Sequence, residues 1–233
     1  MNNELQLIQT ADGSNTIYNP QVGENYHSKH GALQESTHVF LNSGLKYFLE
    51  KSETELHTVS ILEVGFGTGL NFLLSADLCT ERQIKLEYAG IEAYPLTTEM
   101  ISQTGYDNYV SAELWDQFIH QYPNSLIDKI SLNAYCQLQI ANCQLLQFQS
   151  AMQYDIIYFD AFAVAYQPEM WDETAMAHTI QFLKPGGVFV TYAITGNLKR
   201  ALKALNCKIE KAPGALGKRE MLRAVRLQKV QNL

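Results

Sequence analysis

Three glycines at alternate positions close an apolar run, Ile61-Leu62-Glu63-Val64-Gly65-Phe66-Gly67-Thr68-Gly69. Glycine at such a place lets the backbone turn sharply and come close to a ligand. A dinucleotide fingerprint would set its third glycine at position 70, where this chain has Leu70, and no Gly-Lys-Ser/Thr follows. NAD, FAD and P-loop readings are thereby disfavoured. The same glycines would also serve a plain strand-to-helix turn. About 20 residues on, Glu92 ends the apolar Tyr88-Ala89-Gly90-Ile91, where a carboxylate has the acceptor capacity to take both hydroxyls of a ribose. Its bland alternative is a surface acid at a strand end. Asp160 ends another apolar run, Tyr158-Phe159, at the strand end where open α/β sheets bind ligands; capping of the following turn is its alternative.

The elements that must position these residues follow from the apolar runs Val59 to Val64, Leu86 to Ile91, Leu138 to Ile140, Asp155 to Phe159 and Val188 to Ala193. Several are continuous rather than alternating, and helix-like segments lie between them, which is the pattern of a parallel sheet buried on both faces. The expected class is α/β, in a single domain over residues 1–233. Residues 1–45, rich in Tyr, His, Asn and Gly, are expected to fold over the sheet as a cap. Residues 93–134 are longer than an ordinary crossover and carry Trp115, Phe118 and Tyr122 at near-helical spacing, which predicts a helical insertion with those aromatics in the core.

Further motifs narrow the reading. Asp12-Gly13-Ser14, Tyr26-His27-Ser28-Lys29-His30-Gly31-Ala32, Glu35-Ser36 and His38-Val39-Phe40 precede the glycine loop. Asp160-Ala161-Phe162-Ala163, Gln167-Pro168-Glu169-Met170-Trp171, Leu183-Lys184-Pro185-Gly186-Gly187-Val188 and Gly214-Ala215-Leu216-Gly217-Lys218-Arg219-Glu220-Met221 follow it. The glycine loop resembles the first motif of S-adenosylmethionine-dependent methyltransferases. The whole set, in order along the chain, resembles the MnmC-type methyltransferase domain family, the tRNA 5-methylaminomethyl-2-thiouridine methyltransferases, in a stand-alone form without the FAD oxidase domain.

The resemblance implies a Rossmann-like methyltransferase fold with a seven-stranded, mostly parallel sheet whose last strand is antiparallel. It implies S-adenosylmethionine as cofactor and the amine of 5-aminomethyl-2-thiouridine at the tRNA wobble position as methyl acceptor. The implied cofactor residues are Glu63, Gly65, Phe66, Gly67, Thr68, Gly69, Asn71, Glu92, Asn142 and Asp160, with Asp160 also catalytic. Those implied for substrate are Tyr26, His27, His30, Phe162, Lys218, Arg219 and Glu220, with Tyr18, Tyr26 and Phe162 available to stack on a flipped base. Asn142 stands where the family tends to place Asp against the adenine. Val164, Gln167 and Ala215 stand where Pro, Asn and an aromatic are usual, which leaves open a methyltransferase acting on another amine. A non-catalytic tRNA-binding subunit is the alternative from a different class. With no dinucleotide fingerprint in the chain, a separate enzyme would supply the aminomethyl-uridine.

Composition bounds the partners. The 233 residues carry a net charge of −7 and are 46% apolar, with no apolar run long enough to span a membrane. The first ten residues lack a signal-peptide pattern, and Cys79, Cys136, Cys143 and Cys207 fall at no paired spacing, so a cytoplasmic protein with reduced thiols is expected. No zinc-site pattern surrounds His27, His30 and His38, and metal-free chemistry is expected. Residues 1–198 hold 7 Lys+Arg against 22 Asp+Glu, a balance of −15, and residues 199–233 hold 10 against 2, a balance of +8. Lys199, Arg200, Lys203, Lys218, Arg219, Arg223 and Arg226 are therefore expected to meet the anticodon stem-loop, because exposed charges act locally at ordinary salt.

Overall fold

The computed structural model describes residues 4–52 and 56–228; the first three residues of the expected cap and Lys229 of the basic end lie outside them. An antiparallel three-stranded sheet comes first, formed by β1 (Gln6–Gln9), β2 (Asn15–Asn19) and β3 (Glu24–Asn25). A continuous helical run follows, with α1 (Ala32–Glu35), a π-helical stretch (Ser36–Lys46) and α2 (Tyr47–Lys51). Gly44 lets that run lie on the sheet, since a Cβ there would sit 2.7 Å from the Tyr158 ring.

The main sheet is built from β4 (Thr58–Val64), β5 (Lys85–Ile91), β7 (Cys136–Ala141), β8 (Tyr154–Phe159), β9 (Leu183–Thr191), β10 (Cys207–Pro213) and β11 (Glu220–Arg226). Its order is β10-β11-β9-β8-β4-β5-β7-β6, eight strands where seven were expected. The addition is the two-residue β6 (Ile130–Ser131), folded back antiparallel on β7 at the edge. The final strand β11 is antiparallel to both neighbours, while β4, β5, β7, β8 and β9 pair in parallel. The central strands β4 and β8 are almost wholly buried, which is why their sequences are continuous apolar runs.

Helices cover both faces: α3 (Leu70–Glu81) after the glycine loop, α4 (Thr98–Ser102) and α5 (Ala112–Ser125) in the insertion, α6 (Glu173–Ile180) and α7 (Gly196–Ala204) later. Phe118 and Tyr122 of α5 are buried against Phe66, with ring centroids 6.4 Å away in each case. The Tyr122 hydroxyl donates to the Leu96 carbonyl at 3.0 Å. Those contacts press the insertion onto the underside of the glycine loop. The C-terminal ends of β4, β5, β8 and β9 lie side by side, and the hairpin from Gly214 to Arg219 turns at the same end of the sheet.

Candidate active site

The glycine loop knits three strand ends together. Gly65 has φ +84°, and a Cβ there would meet the Asp160 carbonyl oxygen at 2.5 Å. Its N–H donates to Ile91 O of β5 at 3.0 Å. Gly67, at φ +53°, has the Tyr26 ring where a Cβ would go, at 2.9 Å. Only glycine tolerates both the left-handed backbone and the missing volume.

Two carboxylates open from this loop. Glu92 accepts from Gly67 N–H at 2.9 Å and from Tyr94 N–H at 3.0 Å, one on each oxygen. Each oxygen keeps a free lone pair. Burial raises its pKa, and the backbone donors partly offset that. Asp160 Oδ2 accepts from Asn71 Nδ2 at 2.8 Å, and the same amide nitrogen donates to Glu63 Oε1 at 2.8 Å. Tyr88 OH donates to the other Glu63 oxygen at 2.8 Å. Glu63 is fully buried, and burial with the Asp160 charge beside it raises its pKa well above the usual range. Burial first, then the nearby Glu35 charge, pushes the Asp160 carboxyl up to about 8, while Asn71 and Lys218 act to lower it. Asn71 Oδ1, by contrast, is buried with no hydrogen-bond partner.

A third layer comes from distant parts of the chain. Lys218 Nζ donates to Glu35 Oε1 at 2.8 Å and stands 3.8 Å from the centroid of the Tyr192 ring. Glu35 Oε2 accepts from Ser28 N–H at 2.8 Å, and Tyr192 OH donates to Ala161 O at 2.8 Å. Glu24 Oε2 accepts from Ala163 N–H at 2.7 Å. Tyr26 meets Phe162 edge to face, with centroids 5.1 Å apart. The first sheet and the hairpin are thus tied to the segment that follows Asp160.

Beside these groups lies a cavity of about 980 Å³, large enough for a small-molecule ligand of cofactor size. Of the residues singled out from the sequence, Tyr26, Gly65, Gly67, Glu92, Asn142, Asp160 and Phe162 line it. Phe66, Thr68 and Asn71 line instead a small recess beneath the loop, together with His27 and Asp160. The Phe66 ring points into the core, and Thr68 accepts from Tyr106 OH at 3.3 Å. Gly69 is the left-handed start of α3, and Glu63 lies under the floor behind Asn71. Among the departures, Gln167 lines the cavity, whereas Val164 is exposed on the neighbouring turn and Ala215 is buried beneath the hairpin.

The histidines and the basic end sit differently from the sequence expectation. His27 is buried against Thr16 Oγ1 at 3.1 Å, and burial lowers its pKa to about 4. His30 packs on Gly217, and the His38 ring nitrogen donates to Pro213 O at 2.8 Å. Among the described residues no group of three or more His, Cys, Asp or Glu side chains could hold a metal ion. Arg223 is taken up by Glu210 at 2.9 Å and by the Tyr47 ring, and Arg226 donates to the carbonyls of Ile180, Gln181 and Leu183. Glu220 pairs with Lys211 at 3.5 Å and does not line the cavity. Lys218, Arg223 and Arg226 each have a partner within the fold.

Comparison with known proteins decides the family. A model of an S-adenosyl-L-methionine-dependent methyltransferase family matches residues 109–227, a little over half of the chain, including Asp160 and the hairpin. The chain belongs to this family. S-adenosylmethionine is the cofactor of the methyltransferase, and the residues present fit it: a glycine cradle without Cβ volume and a rigidly held carboxylate line the cavity, and a buried acceptor without a partner sits in the recess beneath the loop. The bifunctional proteins for tRNA 5-methylaminomethyl-2-thiouridine biosynthesis, MnmC, of Magnetococcus marinus and Aromatoleum aromaticum are 29% and 30% identical to it over 232 and 230 residues. Each alignment takes in 94% of this chain and 34% or 35% of the relative, so the methyltransferase spans about a third of their length. Among solved structures, MNMC2 from Aquifex aeolicus superposes with a TM-score of 0.75 at 20% identity, over 97% of this chain and 72% of that one. The SAM-bound amino pentose methyltransferase CalS10 from Micromonospora echinaspora reaches 0.50 at 13% identity, over 84% of this chain and 92% of that one. Both share the Rossmann-like methyltransferase fold.

Among the site groups, Asp160, Glu92, Gly65 and Gly67 were legible as strand ends and turns. Glu35, Glu24 and Tyr192 were missed. Glu35 stood inside a quoted motif, and its role depends on Lys218, 183 positions away.

Proposed function

We propose that the protein transfers the methyl group of S-adenosylmethionine to the amine of 5-aminomethyl-2-thiouridine at the wobble position of tRNA. The observation that carries the reading is the arrangement at Asp160. A carboxylate at the end of β8 faces the cavity, is gripped by Asn71 and has Glu35 and Glu24 near it, with Glu92 on the cavity wall, an environment suited to an amine. The similar MnmC proteins, which act in tRNA 5-methylaminomethyl-2-thiouridine biosynthesis, supply the tRNA and the nucleoside.

S-adenosylmethionine, when bound, supplies an electrophilic methyl carbon on a sulfonium. Glu92, fixed by two backbone donors, takes the ribose hydroxyls through its free lone pairs. Gly65 and Gly67 would leave room for the methionine part, whose ammonium would donate to Asp160, with Asn71 holding that carboxylate from the recess below. Asn142, on the cavity wall, would accept from the adenine amino group. Tyr26 and Phe162 hold the uracil ring, with residues 4–45 as a cap over the site and residues 93–134 as a support beneath the loop.

An ammonium has no lone pair, so the acceptor nitrogen must lose a proton before or as the carbon–nitrogen bond forms. Asp160 orients the amine and receives that proton directly or through water. A carboxyl near 8 is far better matched to an amine than an ordinary one, and neighbouring positive charge stabilises its ionised form. Most of the rate comes from alignment of nitrogen, carbon and sulfur. Nucleoside mass spectrometry of tRNA from a deletion strain tests the proposal. Accumulated 5-aminomethyl-2-thiouridine with loss of the methylated nucleoside is expected, and an unchanged profile would overturn it.

A further inference from the structure

Part of the exposed positive charge sits on a clasp made by residues 28–35 and the hairpin from Gly214 to Arg219, which turns at the same end of the sheet as Asp160. His30 packs directly on Gly217, where a Cβ would lie 2.6 Å from its ring. Gln34 Oε1 accepts from Leu216 N–H at 3.2 Å, and Lys218 reaches inward to Glu35. The Lys29 carbonyl accepts from Ala11 N–H at 3.0 Å, which anchors the N-terminal half of the clasp to the turn before β2. Through Tyr192 and Ala161 the clasp connects to the residue next to Asp160.

With Lys218 turned inward, the cations left on the outer surface of this clasp are Lys29 and Arg219. Both are exposed, and neither has an ion pair among the described residues. Lys29 is also the single Lys or Arg in the first 45 residues of the chain, so no neighbouring cation within that segment shares its task. The opposite flank has the other sign: the insertion exposes Asp107, Glu113, Asp116 and Asp128. A polyanion approaching the cavity is therefore drawn to the hairpin side and repelled from the insertion side.

We infer that Lys29 and Arg219 form a two-point phosphate clamp beside the cavity mouth, which docks the RNA strand on either side of the nucleotide presented to Asp160. The inference rests on the proposed tRNA substrate and assigns the contact to two residues from opposite ends of the chain. Lys218 serves the interior of the clasp and makes no phosphate contact.

Measurement of affinity for unfractionated tRNA against salt tests this, with wild type, the double variant Lys29→Ala/Arg219→Ala, and Lys85→Ala/Lys129→Ala as a control of equal charge change at exposed sites outside the clasp. Each phosphate contact contributes roughly 0.7–0.9 to the log–log slope. The clasp variant should flatten the slope by about 1.4–1.8 and bind S-adenosylmethionine as wild type does, while the control keeps the wild-type slope. A clasp variant with the wild-type slope, or a control flattened as much, would overturn the clamp. Wild-type protein that methylates tRNA while the clasp variant keeps its slope refutes the clamp alone. Wild type that neither binds nor methylates tRNA refutes the substrate reading on which it stands.

Discussion

Replacement of Gly65 by Ala separates backbone strain from displacement of the site. A Cβ at position 65 would lie 2.5 Å from Asp160 O, 3.0 Å from Asp160 C and 3.3 Å from Ala161 N, all backbone atoms that cannot rotate away. Ordinary contact begins at 3.4 Å, so the ends of β4 and β8 must part by roughly 0.9 Å. Asp160 then moves relative to Asn71, whose 2.8 Å bond lengthens beyond hydrogen-bonding range. Gly186→Ala is the matched control: its φ of +81° is equally left-handed, yet nothing lies within 4 Å of a Cβ there. Both variants carry the left-handed penalty of about 1–2 kcal/mol, which for a chain of this size lowers Tm by about 2–8 °C. Only Gly65→Ala should also lose methyl transfer, by about 100-fold, since a displacement near 1 Å costs that much in a positioning-limited reaction. Initial rates with labelled S-adenosylmethionine, thermal melts and cofactor calorimetry read the three effects. If Gly65→Ala retains turnover within a few-fold of Gly186→Ala, close approach of the loop to Asp160 is not what the glycine provides.

Other perturbations test separate parts. Asp160→Asn should lower turnover by about 10²–10⁴ with a smaller change in cofactor affinity, and raising the pH should recover part of it by deprotonating the amine; wild-type turnover would make the acid merely structural. Lys218→Met strands the buried Glu35 carboxylate and should cost about 1–3 kcal/mol, whereas Lys218→Met/Glu35→Gln should recover stability, as denaturant midpoints would show. His27 has a folded pKa lowered to about 4 from 6.5, so the unfolded chain binds the extra proton between those values and stability falls as pH drops from about 6.5 to 4. His27→Gln should flatten that part of the melting profile, and a Tm profile identical to wild type would contradict it.

Particular residues show how far sequence carried the account. The apolar runs located β4, β5 and β8 to within a residue of their ends because those strands are buried on both faces. Strand β9 began five residues earlier than its apolar run, because Leu183 pairs with Tyr154 and a register shift separates that pair from the regular ladder that starts at Val188. The two-residue β6 has too short a pattern to announce itself. Glycine spacing found the loop, but the conclusion that Phe66 faces the core needed α5, whose aromatics meet it. Charge counting found a basic end and could not see which cations were free. Arg223 and Arg226 became internal through partners on other elements, and Lys218 through a residue near the opposite end of the chain.

Incubation of the purified protein with S-adenosylmethionine and tRNA carrying 5-aminomethyl-2-thiouridine tests the central claim most directly, with nucleoside mass spectrometry of the product. The account predicts that one methyl group appears on the aminomethyl nitrogen of the wobble nucleoside, at a rate that Asp160→Asn abolishes or nearly so. A wobble nucleoside of unchanged mass, under conditions where calorimetry shows the cofactor bound, would contradict it.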